Sequence, residues 1–308
     1  RPMHITFFSK DTKPEPWVNA LRQQLPDARV EAWAAGAEPA DYAVVWAPPQ
    51  DFLDAQPRLK GLFNIGAGVD ALMQLRLPTG VPVVRLDDAG MSVQMAEYVC
   101  HAVIRYFREL DVYAEEAQQA HWAFRRPRVR ADFTVGVMGL GVLGQRVAQA
   151  LRGFEFPVVG WSRTPRQVEG ITCHAGAEGL SAFLGASQVL VNLLPLTPDT
   201  ENILNRDTLA QLRPGAYVIN VARGAHLVDA DLLALLDSGH LAGATLDVFR
   251  TEPLPAEHPF WQHRCITVTP HTSARTLRDE SVAQIAGKIR ALERGEPITG
   301  VVDPLRGY

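Results

Sequence analysis

The segment Phe133-Thr134-Val135-Gly136-Val137-Met138-Gly139-Leu140-Gly141-Val142-Leu143-Gly144 constrains this chain more than any other. An apolar, β-branched run ends in a G-x-G-x-x-G turn, and the turn opens a stretch with Val147, Ala150 and Leu151 at helical spacing. Strand, glycine turn and helix in that order form the first crossover of a dinucleotide-binding sheet. Gly139 permits the tight turn, Gly141 lets a pyrophosphate approach the backbone, and Gly144 lets helix and strand pack closely. The free N–H groups and positive pole of the helix start, around Val142 and Leu143, then hold phosphate.

The rest of the chain alternates strand-like and helix-like segments. Short apolar runs at 133–138, 157–161, 189–193, 216–220, 244–248 and 266–269 predict six strands of a doubly wound Rossmann sheet. Runs at 4–8, 42–46, 59–65 and 81–86, with a helix over 16–25, predict a second α/β unit with a parallel, flavodoxin-like sheet. Met95, Val99, Ala102, Val103, Tyr106, Phe107 and Leu110 recur at spacings of three and four, which predicts one helix over 92–123. At about 1.5 Å per residue it would exceed roughly 40 Å, long enough to pass between domains or touch a second subunit. A last helix over 278–294 would carry the chain back to the first domain. The expected organisation is therefore a discontinuous substrate domain, 1–102 and 281–308, with a dinucleotide-binding domain, 103–280, inserted into it.

Composition excludes several classes of function. Hydrophobic residues make up 47% of the 308 and charged residues 21%, so the chain can build a core and is not disordered. A formal net charge of −4 gives no basic excess for nucleic acid or an anionic membrane. No apolar run approaches the roughly 20 residues of a membrane helix, and Met3, the expected start of translation, is not followed by a secretory pattern. Cys100, Cys173 and Cys265 are odd in number and far apart, which suits a reducing cytoplasm. The nine histidines show no metal-ligand spacing, so no metal is expected.

The residues after the second Rossmann strand indicate the cofactor. An NAD-preferring site would carry Asp or Glu there for the ribose 2′-hydroxyl. This chain has Ser162-Arg163-Thr164-Pro165-Arg166 instead, and the two guanidinium groups with the Ser162 hydroxyl suit a 2′-phosphate. NADPH/NADP is expected, with NADH/NAD the weaker alternative.

Three later segments complete a pattern: Asn220-Val221-Ala222-Arg223-Gly224, then Asp247-Val248-Phe249-Arg250-Thr251-Glu252-Pro253-Leu254, then Thr269-Pro270-His271-Thr272-Ser273. Together with Gly66-Ala67-Gly68-Val69-Asp70 and the glycine loop, they resemble the D-isomer-specific 2-hydroxyacid dehydrogenases over nearly the whole chain. The stretch Met91-Ser92-Val93-Gln94-Met95-Ala96-Glu97-Tyr98, the Trp161-Ser162-Arg163 stretch and the ending Arg306-Gly307-Tyr308 resemble the glyoxylate/hydroxypyruvate reductase A branch.

The resemblance implies catalysis by Arg223, Glu252 and His271, and the chemistry supports those types. Reducing a 2-keto acid requires a proton at the carbonyl oxygen, and histidine titrates near neutral pH. A carboxylate beside it would stabilise the imidazolium. A fixed guanidinium would grip the substrate carboxylate and polarise its carbonyl. The resemblance further implies that Ala67 and Gly68 present N–H groups to that carboxylate and that Trp46 walls a small pocket. It places Pro195, Thr197, Val221, Ala222, Asp247 and His271 along the cofactor. The implied partner is a small 2-keto acid such as glyoxylate or hydroxypyruvate, in a homodimer. Two alternatives remain at this point: a dehydrogenase for a different or bulkier acid, and a non-catalytic NAD(P)H-sensing protein of corepressor type.

Overall fold

The structure, a computed structural model, describes residues 1–308, which divide into two compact units. The first holds Arg1–Met91 and Thr276–Tyr308. Its strands are β1 (His4–Ser9), β2 (Arg29–Ala32), β3 (Tyr42–Trp46), β4 (Gly61–Asn64) and β5 (Val83–Val84), all parallel in the order β2-β1-β3-β4-β5. Helix α1 (Pro14–Gln24) begins on a proline, whose missing N–H costs nothing in a first turn. Helices α2 (Gln50–Asp54) and α3 (Asp70–Met73) are short. Trp17, Val18 and Leu21 of α1 and Val282, Ile285, Ala286 and Ile289 of the last helix, Arg278–Glu293, share one core with Ile5, Phe7 and Val44. A sheet buried on both faces by helices explains why β3 is apolar throughout rather than alternating.

The second unit holds Ser92–Arg275. It contains α4 (Met91–Phe107), α5 (Leu110–Gln118), β6 (Val135–Met138), α6 (Val142–Gly153), β7 (Val158–Ser162), β8 (Thr172–Ala175), α7 (Gly176–Ala186), β9 (Val189–Asn192), α8 (Arg206–Ala210), β10 (Ala216–Asn220), α9 (Asp229–Asp237), β11 (Leu241–Leu246) and β12 (Ile266–Val268). The seven strands run parallel in the order β12-β11-β10-β9-β6-β7-β8. Counted from β6, the first six follow the 3-2-1-4-5-6 order of a dinucleotide-binding sheet, with β12 added at one edge. No helix is long and apolar enough to cross a membrane.

The structure departs from the expected elements in three ways. The division falls at 91/92 and 275/276, because α4 packs Val99, Val103 and Phe107 against Val135, Val137 and Val147 of the second unit; a boundary at 102/103 would cut that helix. The helix expected over 92–123 is two helices. Glu109 adopts φ +54 between them, and its carboxylate takes the Arg125 guanidinium at 2.9 Å. Arg128 bonds the Tyr106 carbonyl at the end of α4 and stacks 4.4 Å over the Tyr106 ring, so the basic run folds back on the corner. Finally, β2 and β8 lacked an apolar signature. Both are sheet edges, and such strands need bury little apolar surface.

Candidate active site

Every residue singled out for chemistry in the second unit lies at or just past the carboxyl end of a parallel strand, where open α/β sheets receive ligands. The glycine turn follows β6, which β7 and β9 flank on either side, so it sits where the strand order reverses. Gly139 has φ +105, and a Cβ there would stand 2.6 Å from the Leu193 carbonyl oxygen. A Cβ on Gly144 would stand 1.8 Å from the Gly139 oxygen, so helix α6 can approach the turn only without a side chain. Gly141 differs: a Cβ there would meet no protein atom within 4 Å. Its side is open, and the first turn of α6 carries no side-chain cap, leaving N–H groups and the positive helix pole for an anion. These features fit a dinucleotide pyrophosphate.

Ser162 ends β7 and is buried, its Oγ donating to the Thr164 carbonyl at 2.7 Å. Arg166 donates to the Leu140 carbonyl inside the glycine turn at 3.1 Å. Arg163 lies 3.5 Å from Asp199, so a carboxylate from the loop after β9 reaches this corner. Asp199 is the residue that local reading missed here.

The three residues expected to be catalytic follow the ends of three neighbouring strands, β10, β11 and β12. Arg223 follows β10 with its Nη1 donating to the Ala222 carbonyl at 2.8 Å. Gly224 then passes so close to the Phe249-Arg250 backbone that a Cβ would fall 1.9 Å from the Phe249 carbonyl carbon. That approach brings the Arg223 loop against the segment carrying Glu252. Glu252 Oε1 accepts the Phe249 N–H at 3.0 Å, and Oε2 meets His271 Nδ1 at 2.7 Å. Burial pushes the Glu252 carboxyl up. The hydrogen bonds from His271 and Phe249 and the positive charges of His271 and Arg223 outweigh it, so the group ends below the usual range. With Nδ1 committed to Glu252, Nε2 is the atom that can hand a proton on.

His271 has φ +49, a left-handed backbone that costs free energy unless its surroundings impose it. Asp247 imposes it. This carboxylate, 0% exposed, accepts Thr269 Oγ1 at 2.6 Å, the Thr272 N–H at 2.8 Å and the Ser273 N–H at 3.0 Å, while its carbonyl takes the His271 N–H at 2.9 Å. The Tyr98 hydroxyl of α4 joins Thr269 Oγ1 at 2.5 Å, and burial pushes that phenol up to about 12, which keeps it a donor. Asp247, expected along the cofactor, is thus the knot that shapes the His271 turn.

Beneath the site lies a polar network, of which only Asn220 belongs to a motif segment. Asn192 and Asn220 close the apolar runs of β9 and β10. Asn192 Oδ1 accepts the Leu194 N–H at 3.1 Å, and its Nδ2 donates to Asn220 Oδ1 at 3.1 Å and His226 Nδ1 at 3.0 Å. Asn220 also accepts the Ala222 N–H and donates to the Arg223 carbonyl. Pro195 and Thr197 lie on the loop after β9, where the Pro195 carbonyl accepts from Thr200 Oγ1 at 2.7 Å and His226 Nε2 at 3.2 Å. A polar residue ending an otherwise apolar strand was the available signal for the two asparagines; His226 offered none.

In the first unit, considered by itself, Trp46 ends β3 and packs on the glycine turn: a Cβ on Gly66 would fall 2.6 Å from its ring. Asn64 donates to the carbonyls of Gly66 and Gly68 at 3.0 and 2.9 Å, which fixes the turn.

Residues 100–273 match the family described as D-isomer specific 2-hydroxyacid dehydrogenase, NAD binding domain. The glyoxylate/hydroxypyruvate reductase A of Serratia proteamaculans is 51% identical over 313 residues, covering 99% of this chain and 100% of that protein. A D-isomer specific 2-hydroxyacid dehydrogenase from Xanthobacter autotrophicus Py2, solved with NADPH and MES, aligns with a TM-score of 0.94 and 41% identity over 100% of both chains. The NADPH-dependent glyoxylate/hydroxypyruvate reductase of Sinorhizobium meliloti, solved with NADP and sulfate, gives 0.94 and 38% over 99% of this chain and 100% of that one. The chain belongs to the D-isomer specific 2-hydroxyacid dehydrogenase family.

Proposed function

We propose that this chain is an NADPH-dependent reductase of small 2-keto acids, glyoxylate and hydroxypyruvate, yielding the D-2-hydroxy acid where the product is chiral. The observation that carries the reading is the 2.7 Å His271–Glu252 pair beside the Arg223 charge. The names and bound nucleotides of its relatives support the substrate and the cofactor.

In this reading Arg223 binds the keto-acid carboxylate and polarises the carbonyl, with the N–H groups of Ala67 and Gly68 binding the same carboxylate. NADPH, when bound, supplies the hydride to the carbonyl carbon. His271 Nε2 delivers the proton to the carbonyl oxygen, and Glu252 orients the ring through Nδ1. The imidazole, partly open to solvent, then regains its proton from water. Gly141, Val142 and Leu143 would hold the pyrophosphate, and Ser162, Arg163 and Arg166 the 2′-phosphate. Pro195, Thr197, Val221 and Ala222 line the nucleotide, and Trp46 bounds the substrate pocket. The reaction takes place in the cytoplasm. We further assign a homodimer contact to the segment after α5, where Trp122 is 99% and Phe124 84% exposed.

The test is NADPH consumption with glyoxylate, hydroxypyruvate, pyruvate and 2-oxoglutarate, each repeated with NADH. Turnover of the small acids with NADPH preferred is expected; turnover with NADH alone would refute the 2′-phosphate site. His271→Ala should lower kcat by about 10²- to 10⁴-fold with the NADPH Kd unchanged. Substantial residual turnover would remove His271 as the proton donor.

A further inference from the structure

His226 is a titratable side chain, 0% exposed, that the mechanism leaves unused. Its two ring nitrogens face different loops. The Leu194 N–H fixes Asn192 Oδ1 as an acceptor, so Asn192 Nδ2 is the donor toward His226 Nδ1. Nδ1 therefore accepts and the ring proton sits on Nε2, which donates to the Pro195 carbonyl at 3.2 Å. On the Nδ1 side, Asn192 continues to Asn220, and Asn220 grips the Ala222 N–H and the Arg223 carbonyl. The His226 N–H itself returns to the Arg223 carbonyl at 3.3 Å. On the Nε2 side, the Pro195 carbonyl is shared with Thr200 on the loop that follows β9.

From this we infer that His226 is a positioning residue with two separable arms: Nδ1 holds the Arg223 loop to its substrate-binding geometry, and Nε2 holds the Pro195 loop to its cofactor-binding geometry. The inference rests on the proposed reductase reading for the roles of those two loops. Metal binding does not compete with it, since both nitrogens are already engaged inside the fold. A packing role alone would ask only for ring volume and would be blind to which nitrogen is kept.

Two conservative variants separate the arms. His226→Asn places an oxygen near Nδ1 and reaches no farther, so it keeps the Arg223 arm and loses the Pro195 arm. His226→Gln places an amide N–H near Nε2 and loses the acceptor for Asn192. NADPH Kd is titrated directly by fluorescence, KM for glyoxylate is measured at saturating NADPH, and melting temperature is recorded. Each arm should cost about three- to tenfold, the worth of one buried hydrogen bond. His226→Asn should raise the NADPH Kd by that factor with KM unmoved, and His226→Gln should raise KM with Kd unmoved. Equal shifts of Kd and KM in both variants, or none beyond about twofold in either, would overturn the assignment. Should a variant fail to fold, Thr200→Val tests the Pro195 arm from its other donor and should raise Kd alone; a rise in KM with it would overturn the two-arm division. If the unmodified protein turns over no keto acid, the reductase reading fails by itself. The Nδ1 arm is then read from oxalate binding to the NADPH complex, which His226→Gln should weaken and His226→Asn should not.

Discussion

At the residue scale, the His271–Glu252 pair can be read through pH. The Glu252 carboxyl is held below its ordinary value of 4.5 in the folded protein. A depressed folded-state pKa stabilises the fold above the unfolded value, and that contribution disappears as pH falls through the folded one. Comparing wild type with Glu252→Gln by denaturant unfolding from pH 7 to pH 3 should therefore give a constant gap above pH 4.5 that closes below it. A gap of the same size at every pH would mean that the carboxylate contributes no charge to stability. The Arg163–Asp199 pair makes a second case. An exposed ion pair is worth about 0–1 kcal/mol, so Asp199→Asn, which removes the negative charge beside Arg163, should tighten NADPH by at most about fivefold. Weaker binding in that variant would show that Asp199 orients Arg163 for the phosphate.

At the element scale, the strand–turn–helix unit separates fold from ligand. Gly144→Ala drives a Cβ into a backbone oxygen that cannot step aside, and overpacking of this kind costs about 1–3 kcal/mol. Gly141→Ala meets nothing in the protein. The expected result is a lowered melting temperature for Gly144→Ala, and for Gly141→Ala an unchanged one with weakened NADPH binding. If Gly141→Ala bound NADPH as well as wild type, the pyrophosphate would not lie on that glycine. This unit was legible because its strand, turn and helix signals are consecutive in the chain and Gly144 answers to the nearby Gly139 oxygen, although the Leu193 carbonyl that crowds Gly139 arrives from the end of β9. The corner after α4 was not. Its 3.6-residue periodicity continues into α5, and nothing between Arg108 and Leu110 is a helix breaker. The bend comes from Arg125 and Arg128 folding back onto Glu109 and Tyr106, contacts that periodicity does not encode.

At the scale of the whole molecule, the proposed homodimer contact lies on the segment that follows this corner. Trp122 and Phe124 stand exposed on the segment it presents, each with enough apolar surface to anchor an interface. Trp122→Ala combined with Phe124→Ala should convert a dimer to a monomer in sedimentation, while the melting temperature changes little because neither side chain belongs to a core. A dimer that survives both changes would place the interface elsewhere.

Sequence alone determined the two parallel-sheet units and the glycine turn through local apolar patterning, and it singled out Arg223, Glu252 and His271 through the family resemblance. Tertiary structure alone decided what holds them: Asp247 forcing His271 into a left-handed turn, Gly224 admitting the Phe249 backbone, and Asn192, Asn220 and His226 joining loops whose partners lie about thirty residues apart. A buried hydrogen bond needs both partners brought together out of water, and only the packed sheet does that.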